Sequence, residues 1–310
     1  MKKQEIIPKF PEERPKIKDV VGEARNFIDE LEVNIEAEGI FKKMGVNPNK
    51  TFLLEGLPGT GKTFSINAYN NTKNSNIVNH MKNLKQGEMI GFDEFNTMMF
   101  PYDIGKYGTA YINMGSKIVQ NFFDTCYAYS ELGIKTLVVM DEFDAVGQSR
   151  RSSGSRGHNE DKKVLETIMK NLQTSHDKNN MYVVLMTNEP DSCDEAVLRA
   201  GRIDQKVKFN LPKPKERDYA FREAIRKVNK NAGYFVIRGI HYDNLVEMSE
   251  GFNYADIFQS VENAVKKRAK ELYLETGDIN KQGRVYRSRL ENAVMEHKKS
   301  YQPTKKGIGF

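Results

Sequence analysis

The amino-acid sequence predicts an α/β fold in which a parallel sheet is covered by helices on both faces and is followed by a small all-helical domain. Short apolar segments at 51–54, 136–140 and 181–186 have the composition of buried strands. Segments with apolar residues at helical spacing lie between them, which is the pattern of a doubly covered parallel sheet. After Pro214 the strand pattern largely stops, and residues 215–301 are predicted to be mostly helical.

Composition sets the limits within which this fold must function. The 310 residues allow one large domain or two smaller ones, and 38% are hydrophobic, enough for a real core. No apolar run reaches the roughly 18 residues of a membrane span, and the polar N-terminus lacks the apolar region of a signal peptide. We therefore expect a cytoplasmic protein without a membrane partner. The net charge of +6 is compatible with nucleic acid, although dispersed lysines more simply indicate a solvated surface.

The first part of the chain leads to a glycine-rich loop. Three prolines within residues 1–17 predict an extended N-terminal arm, and residues 24–44 have the apolar spacing of a helix. The strand at 51–54 should end at the glycine loop, and a helix should begin at Lys62.

The middle of the chain supplies further strands and helices. Residues 70–96 are rich in Asn and Lys and are predicted to be an insertion or an irregular segment, before a strand at 98–104. Ser116 is a candidate N-cap for a helix. The apolar face of that helix consists of Val119, Phe122, Phe123 and Cys126. Residues 148–160 are rich in Ser, Gly and Arg and predict a mobile loop. The helix after this loop has an apolar face formed by Leu165, Ile168, Met169 and Leu172.

The loop from Gly56 to Thr63 matches the pattern G-x-x-x-x-G-K-[ST], known as the P-loop or Walker A motif. Its glycines let backbone N–H groups converge on phosphate oxygens, and the following helix N-terminus adds positive potential. Lys62 should reach the β- and γ-phosphates of ATP, while the Thr63 hydroxyl should bind Mg²⁺. The predicted nucleotide contacts of this segment are Gly56, Pro58, Gly59, Thr60, Gly61, Lys62, Thr63 and Phe64.

Polar residues follow two of the other predicted strands. Asp141 and Glu142 come directly after four apolar residues, as in a Walker B motif. Asp141 is predicted to hold Mg²⁺ together with Thr63, and Glu142 to polarise the attacking water. Asn188 ends the next strand, where an amide can orient that water or touch the γ-phosphate. Each of the three motifs also has a purely structural alternative. The glycine-rich loop could be a turn without a ligand, Asp141 and Glu142 could be an ordinary acidic pair after a strand, and Asn188 could belong to a simple turn at a strand end.

The segment from Asn188 to Asp204 resembles the AAA family, in the clade with the second region of homology, whose pattern is N-x-P-x-x-L-D-x-A-L-L-R-P-G-R-F-D. Cys193 stands at a usual Leu, and Ala200 stands at a usual Pro. In that family the two arginines of R-x-G-R reach across a subunit boundary to the γ-phosphate of the neighbour. The resemblance therefore implies this role for Arg199 and Arg202, and intrachain salt bridges are the alternative.

The resemblance covers about residues 18–301. The segment 18–22 resembles the family's entry motif, whose backbone frames the adenine, which implicates Asp19 and Val21. The segment 251–257 resembles the family's lid motif and implicates Ala255 in nucleotide binding. Tyr254 departs from that motif, since the family has Gly there.

Two loops correspond to the pore loops of AAA rings. Tyr111 lines up with the family's pore aromatic, which can grip an extended chain by side-chain contact. A packed or merely exposed tyrosine is the alternative. The basic loop at 148–160 would then be the second pore loop, or else a plain surface loop.

Together these motifs predict an N-terminal arm at 1–17, a large nucleotide-binding domain at 18–211 with its insertion at about 70–96, a helical lid at 212–303 and a tail at 304–310. The resemblance implies a homo-oligomeric ring, by family habit of six copies, that hydrolyses ATP to thread or remodel a protein. The arm, the insertion or an adaptor would select the substrate. A nucleic-acid-associated loader or regulator and an ATP-dependent assembly scaffold are the alternatives.

Overall fold

The computed structural model describes residues 6–85, 88–104, 114–147, 157–189 and 202–300. The chain divides into two compact units. The first consists of residues 1–57 and 61–209, and the second of residues 58–60 and 210–310.

A parallel five-stranded sheet forms the centre of the first unit. Its strands are β1 (Thr51–Glu55), β2 (Met98–Asp103), β3 (Thr136–Asp141), β4 (Met181–Thr187) and β5 (Gln205–Lys208). The spatial order is β2-β3-β4-β1-β5, and every neighbouring pair is parallel. The strands predicted from the three apolar segments and the strand predicted at 98–104 are thereby confirmed.

The sequence did not predict β5, which pairs with β1 at one edge of the sheet. Its residues Gln-Lys-Val-Lys alternate between half-buried and exposed positions. Lysines are common on edge strands because they discourage pairing with other chains. A short polar strand of this kind lacks the apolar run that identifies a buried strand.

Helices cover both faces of the sheet, as predicted. In the first unit they are α1 (Gly22–Glu36), α2 (Glu38–Lys43), α3 (Lys62–Lys73), α4 (Ser75–Asn83), α5 (Gly115–Glu131), α6 (Asp144–Gly147) and α7 (Gly157–Asp177). Successive residues of β1 point to opposite faces, as strand geometry requires. Phe52 and Leu54 join a core with α1 and α3, whereas Leu53 joins a core with α5 and α7.

The expectation of an irregular segment at 70–96 is wrong for much of its length. Residues up to Lys73 continue α3, residues 75–83 form α4, and a short 3₁₀ turn spans Phe92–Glu94. Three of the asparagines that suggested irregularity, Asn70, Asn71 and Asn74, are buried and make specific tertiary hydrogen bonds. Asn74, for example, donates to Thr97 O at 2.9 Å and accepts from Asn96 N at 3.0 Å.

Two further local expectations need correction. Helix α5 begins at Gly115 with Met114 at the N-cap and no side-chain cap, so Ser116 lies inside the first turn. Residues 148–156 lie outside the described part of the chain, but α7 begins at Gly157. The predicted loop at 148–160 is therefore helical in its last four residues.

Residues 9–17 of the N-terminal arm are held against α3 and the outer strand β2. The Lys9 N–H donates to Met99 O at 2.7 Å. Asn71 accepts from Glu12 N at 2.8 Å and donates to Pro15 O at 3.0 Å. The arm is extended, and its path is fixed by side chains from the helix that follows the glycine-rich loop.

The second unit is helical, in agreement with the prediction for residues 215–301. It contains α8 (Pro214–Ala232), α9 (Tyr242–Met248), α10 (Tyr254–Thr276) and α11 (Arg287–Ser300). Its core includes Phe221, Leu245, Phe252, Ile257 and Leu290. Asn253 caps α10 by accepting from Asp256 N at 2.8 Å. Across the described ranges of both units, every helix is too short or too polar to cross a membrane.

Candidate functional site

The glycine-rich loop connects the end of β1 to the start of α3. At Gly61, the N-cap of α3, φ is 101°, a left-handed conformation that favours glycine. At Gly56 an added Cβ would lie 2.3 Å from Phe209 O, so the loop can pass β5 only without a side chain there. Both glycines of the sequence motif are therefore required by the backbone itself.

Lys62 places a buried cation at the centre of this loop. Its Nζ donates to Gly56 O at 2.5 Å, to Leu57 O at 3.1 Å and to Asn188 Oδ1 at 2.8 Å. Burial lowers the pKa of the Lys62 ammonium, although the charges of Asp141 and Asp144 oppose this shift. Strand β4 thus presents the predicted Asn188 amide directly to the lysine of the loop.

The end of β3 brings a carboxylate to the first turn of α3. Thr63 Oγ1 donates to Asp141 Oδ2 at 3.3 Å, so the two predicted metal ligands are adjacent. Within the described residues, groups of three or more His, Cys, Asp or Glu suited to hold a metal ion are absent. A hydroxyl and one carboxylate fit Mg²⁺, which commonly takes one or two protein ligands and completes its shell with phosphate oxygens and water.

Glu142 follows Asp141 in a left-handed backbone conformation, with φ of 55°. Such a conformation costs a non-glycine residue about 1–3 kcal/mol and is found mainly where the surroundings enforce it. Here the next residue, Phe143, is buried, and its N–H donates to Met186 O at 2.9 Å. The side chain of Glu142 is exposed.

Nearby carboxylates raise the pKa of the Glu142 carboxyl. Asp103, at the end of β2, lies opposite Asp141 in the strand register. The charge of Asp103 is the main cause that raises the pKa of the Glu142 carboxyl, followed by desolvation, Asp141 and Asp144. A raised pKa makes the ionised carboxylate a stronger proton acceptor.

Asp144 and Asp103 were not predicted as site residues. Asp144 Oδ1 accepts from Thr187 Oγ1 at 3.0 Å and from Asn188 N at 3.1 Å, which fixes the backbone of Asn188. The available signal was spacing: Asp144 lies three residues after Asp141, in the first turn of α6. Asp103 had a weaker signal, as the second-to-last residue of the strand predicted at 98–104.

The predicted arginine Arg202 lies near the end of the sheet at which β1 begins, away from the end that carries the glycine-rich loop. Two residues later, the Asp204 N–H donates to Thr51 O at 2.9 Å, and Thr51 begins β1, whereas the glycine-rich loop follows its last residue. Five residues of strand span about 16 Å. The backbone near Arg202 is thus separated from Lys62 by the length of β1. Arg199 and the predicted pore residue Tyr111 lie outside the described part of the chain.

The predicted adenine contacts Asp19 and Val21 lie at the junction of the arm and α1. The Asp19 carboxylate is used locally, accepting from Arg14 Nη1 at 3.1 Å and from Lys16 N at 2.9 Å. Val21 is the N-cap of α1 and is partly exposed. Phe64 is 45% exposed on the first turn of α3. These three residues stay predictions as nucleotide contacts.

The middle of the loop, residues 58–60, groups with the second unit. Within that unit, the Tyr254 N–H donates to Gly59 O at 3.1 Å, and Asn253 Nδ2 donates to Pro58 O at 3.2 Å. Thr60 is buried, and Ala255 is exposed in the first turn of α10. The nucleotide contact of Ala255 stays a prediction.

Comparison with known proteins matches this arrangement to a family. Residues 52–211 match the model of the family described as ATPase family associated with various cellular activities (AAA). This range contains the glycine-rich loop, the acidic end of β3, Asn188 and both arginines.

Several proteasomal proteins are similar to the chain. The 26S proteasome subunit RPT4 of Saccharomyces cerevisiae is 29% identical over 233 residues, which cover 75% of this chain and 46% of the relative. A proteasome-activating nucleotidase of Sulfurisphaera tokodaii is 27% identical, covering 73% of this chain and 50% of the relative. The 26S proteasome regulatory subunit 7 of Caenorhabditis elegans is 28% identical, with 79% and 50% covered. The chain spans about half the length of these relatives.

Proposed function

This chain belongs to the AAA family of ATPases, and from that premise we propose that it binds ATP with Mg²⁺ and hydrolyses it. The observation that carries the proposal is the contact network of the first unit. It joins Lys62 to Asn188 and Thr63 to Asp141, which come from two strand ends and one helix start. These groups are far apart in sequence, and phosphate transfer requires them together.

Each residue of the network has a distinct role in the proposed reaction. Lys62 and the loop N–H groups bind the phosphates, while Thr63 and Asp141 hold Mg²⁺. Bound Mg²⁺ neutralises charge on the phosphate oxygens. Glu142 takes a proton from the attacking water, and its raised pKa makes it a better acceptor. Asn188 orients that water, and Asp144 holds Asn188 in place.

The arginines act between copies of the chain in this proposal. Arg202 lies near the start of β1, whereas the pocket lies beyond the last residue of the same strand, about 16 Å away, so Arg202 does not complete the pocket of its own chain. An arginine supplied by a second copy would neutralise the charge that develops on the transferred phosphoryl group. This separation supports a homo-oligomer with shared sites, and six copies in a ring is the usual state of the family.

We further propose that ATP turnover drives the threading or remodelling of a protein. The similarity to a proteasome-activating nucleotidase and to subunits of the 26S proteasome supports a protein substrate over nucleic acid. Tyr111 would contact the threaded chain, and an adaptor could deliver it. A nucleic-acid-associated ATPase and an ATP-dependent scaffold are the rival functions.

The test is steady-state ATPase activity with Mg²⁺, measured alone and with unfolded protein, single-stranded DNA or duplex DNA. We expect Mg²⁺-dependent turnover that unfolded protein stimulates several-fold and that neither DNA stimulates. The Lys62→Ala variant, which should not bind ATP, is the blank for contaminating ATPases. Stimulation by DNA alone would replace the protein substrate with nucleic acid, and turnover equal to the blank would contradict the ATPase proposal itself.

A further inference from the structure

A partly exposed polar network lies at the start of β1, close to Arg202. Asp204 is its centre: Oδ2 accepts from Lys50 N at 2.7 Å and from Thr51 N at 2.9 Å, and its own N–H donates to Thr51 O. Three hydrogen bonds therefore join Asp204 to Lys50 and Thr51, where β1 begins. None of these groups takes part in the phosphate-binding network described above.

His176, in the last turn of α7, touches both sides of this connection. Its Nδ1 lies 3.6 Å from Asp204 Oδ2, and its Nε2 lies 3.5 Å from the backbone oxygen of Arg202. The imidazole thus bridges the aspartate and the residue proposed to act on the neighbouring copy.

Lys50, the residue before β1, connects this strand to the C-terminal end of α7 through its side chain. Its side chain is buried, and Nζ donates to Lys178 O at 2.5 Å and to His176 O at 3.3 Å. Nζ also lies 3.4 Å from Glu38 Oε1 on α2, and Glu38 accepts from Tyr182 OH at 2.7 Å. Asp204 is therefore hydrogen-bonded to the backbone of a residue whose buried side chain contacts α2 and the end of α7.

We infer that Asp204 is a positioning residue for Arg202, holding its backbone so that the guanidinium reaches the nucleotide of the neighbouring copy. This inference rests on the proposed trans action of Arg202. Arginine fingers contribute about 10³–10⁵ in rate, and displacement of a catalytic group by about 1 Å can cost about 10²-fold. The three hydrogen bonds of Asp204 to the start of β1 therefore hold the nearby backbone of Arg202 in one position.

The variant Asp204→Ala removes the two accepting interactions and leaves its own pocket untouched, since that pocket lies beyond the other end of β1. We expect near-normal affinity for a fluorescent ATP analogue and turnover lower by about 10²-fold. His176→Ala, which removes a half-exposed side chain, should show a smaller defect of the same kind. Asp177→Ala, an exposed neighbour on α7, is the matched control and should resemble the wild type.

Mixing separates positioning from a general structural role. In a mixture with Lys62→Ala chains, an Asp204→Ala pocket can receive a well-placed Arg202 from its neighbour, so turnover should rise above the average of the two variants. In a mixture with Arg202→Ala chains no well-placed arginine exists, so turnover should stay at that average. A merely structural defect would spoil the Asp204→Ala pocket as well, and neither mixture would recover.

The reference for both mixtures is Arg202→Ala with Lys62→Ala. If the reference recovers and Asp204→Ala recovers in neither mixture, the positioning role is wrong while trans action stands. Wild-type turnover of Asp204→Ala and His176→Ala alone would also overturn it. If the reference mixture shows no turnover above the average of its two variants, although mass photometry shows mixed assembly, Arg202 does not act in trans. The positioning role of Asp204 is then wrong as well. Should Asp204→Ala misfold, the same mixtures with His176→Ala decide the question.

Discussion

Removal of the Asp144 carboxylate should disable hydrolysis without removing any group that touches ATP. Asp144 Oδ1 accepts from Thr187 Oγ1 at 3.0 Å and from Asn188 N at 3.1 Å. The Asp144→Ala variant leaves both donors without this acceptor, and Asn188 loses the contact that fixes its backbone beside Lys62.

The size of the effect follows from these two bonds. Hydrogen bonds to a charged group contribute about 1.5–3 kcal/mol each, and Asp144 is half-buried, so the lower end applies and about 3 kcal/mol is lost in all. Part of that loss lowers stability, and the rest appears as disorder of Asn188. A misplaced catalytic amide typically reduces turnover by about 10²-fold, which corresponds to about 2.7 kcal/mol in the barrier.

The assay is single-turnover ATP hydrolysis with the protein in excess, accompanied by ATP-analogue binding and thermal unfolding. Asp144→Asn retains an accepting oxygen and should keep more activity than the alanine variant. Asp124→Ala is the control, because this exposed aspartate of α5 bonds only to Gln120 among the described side chains. If Asp144→Ala hydrolyses ATP within twofold of the wild type while Asn188→Ala is slow, Asp144 does not position Asn188.

Three further variants test other parts of the account. Glu142→Gln should bind ATP normally yet turn over more slowly by about two to four decades, since it loses the proton acceptor; near-normal turnover would remove Glu142 from the mechanism. Lys62→Ala should lose affinity for a fluorescent ATP analogue, because the phosphates lose their main point charge, and unchanged affinity would contradict the P-loop assignment. Asn74→Ala should destabilise the protein by about 3 kcal/mol in urea unfolding, since its buried carboxamide makes four hydrogen bonds; a loss below about 1 kcal/mol would show that these bonds are easily replaced.

Sequence patterns predicted the parts of the fold that depend on local composition. Strands β1, β3 and β4 are apolar runs because both faces of the sheet are covered, and such runs are visible without any structure. The glycine-rich loop was equally visible, because its backbone conformation needs Gly56 and Gly61. Strand β5 was missed because an edge strand carries polar residues, which resemble a loop.

Residues whose role depends on tertiary contacts escaped prediction. The asparagines near the end of α3 suggest a loop by composition, but Asn71 and Asn74 are buried and hydrogen-bonded to the arm and to the start of β2. Asp144 gains its role only because α6 turns back towards the end of β4. The position of Arg202 near the start of β1 likewise follows from the pairing of β5 with β1, which no local pattern shows.

The most direct test of the central claim is the ATPase rate of Arg202→Ala mixed with Lys62→Ala across all ratios. Each variant alone should be nearly inactive, the first for lack of the neighbour's arginine and the second for lack of ATP binding. If Arg202 acts on the adjacent copy, intermediate ratios should show turnover well above both pure variants, with a maximum between them. Rates that only average the two inactive variants at every ratio, in samples where light scattering shows mixed assembly, would contradict the account.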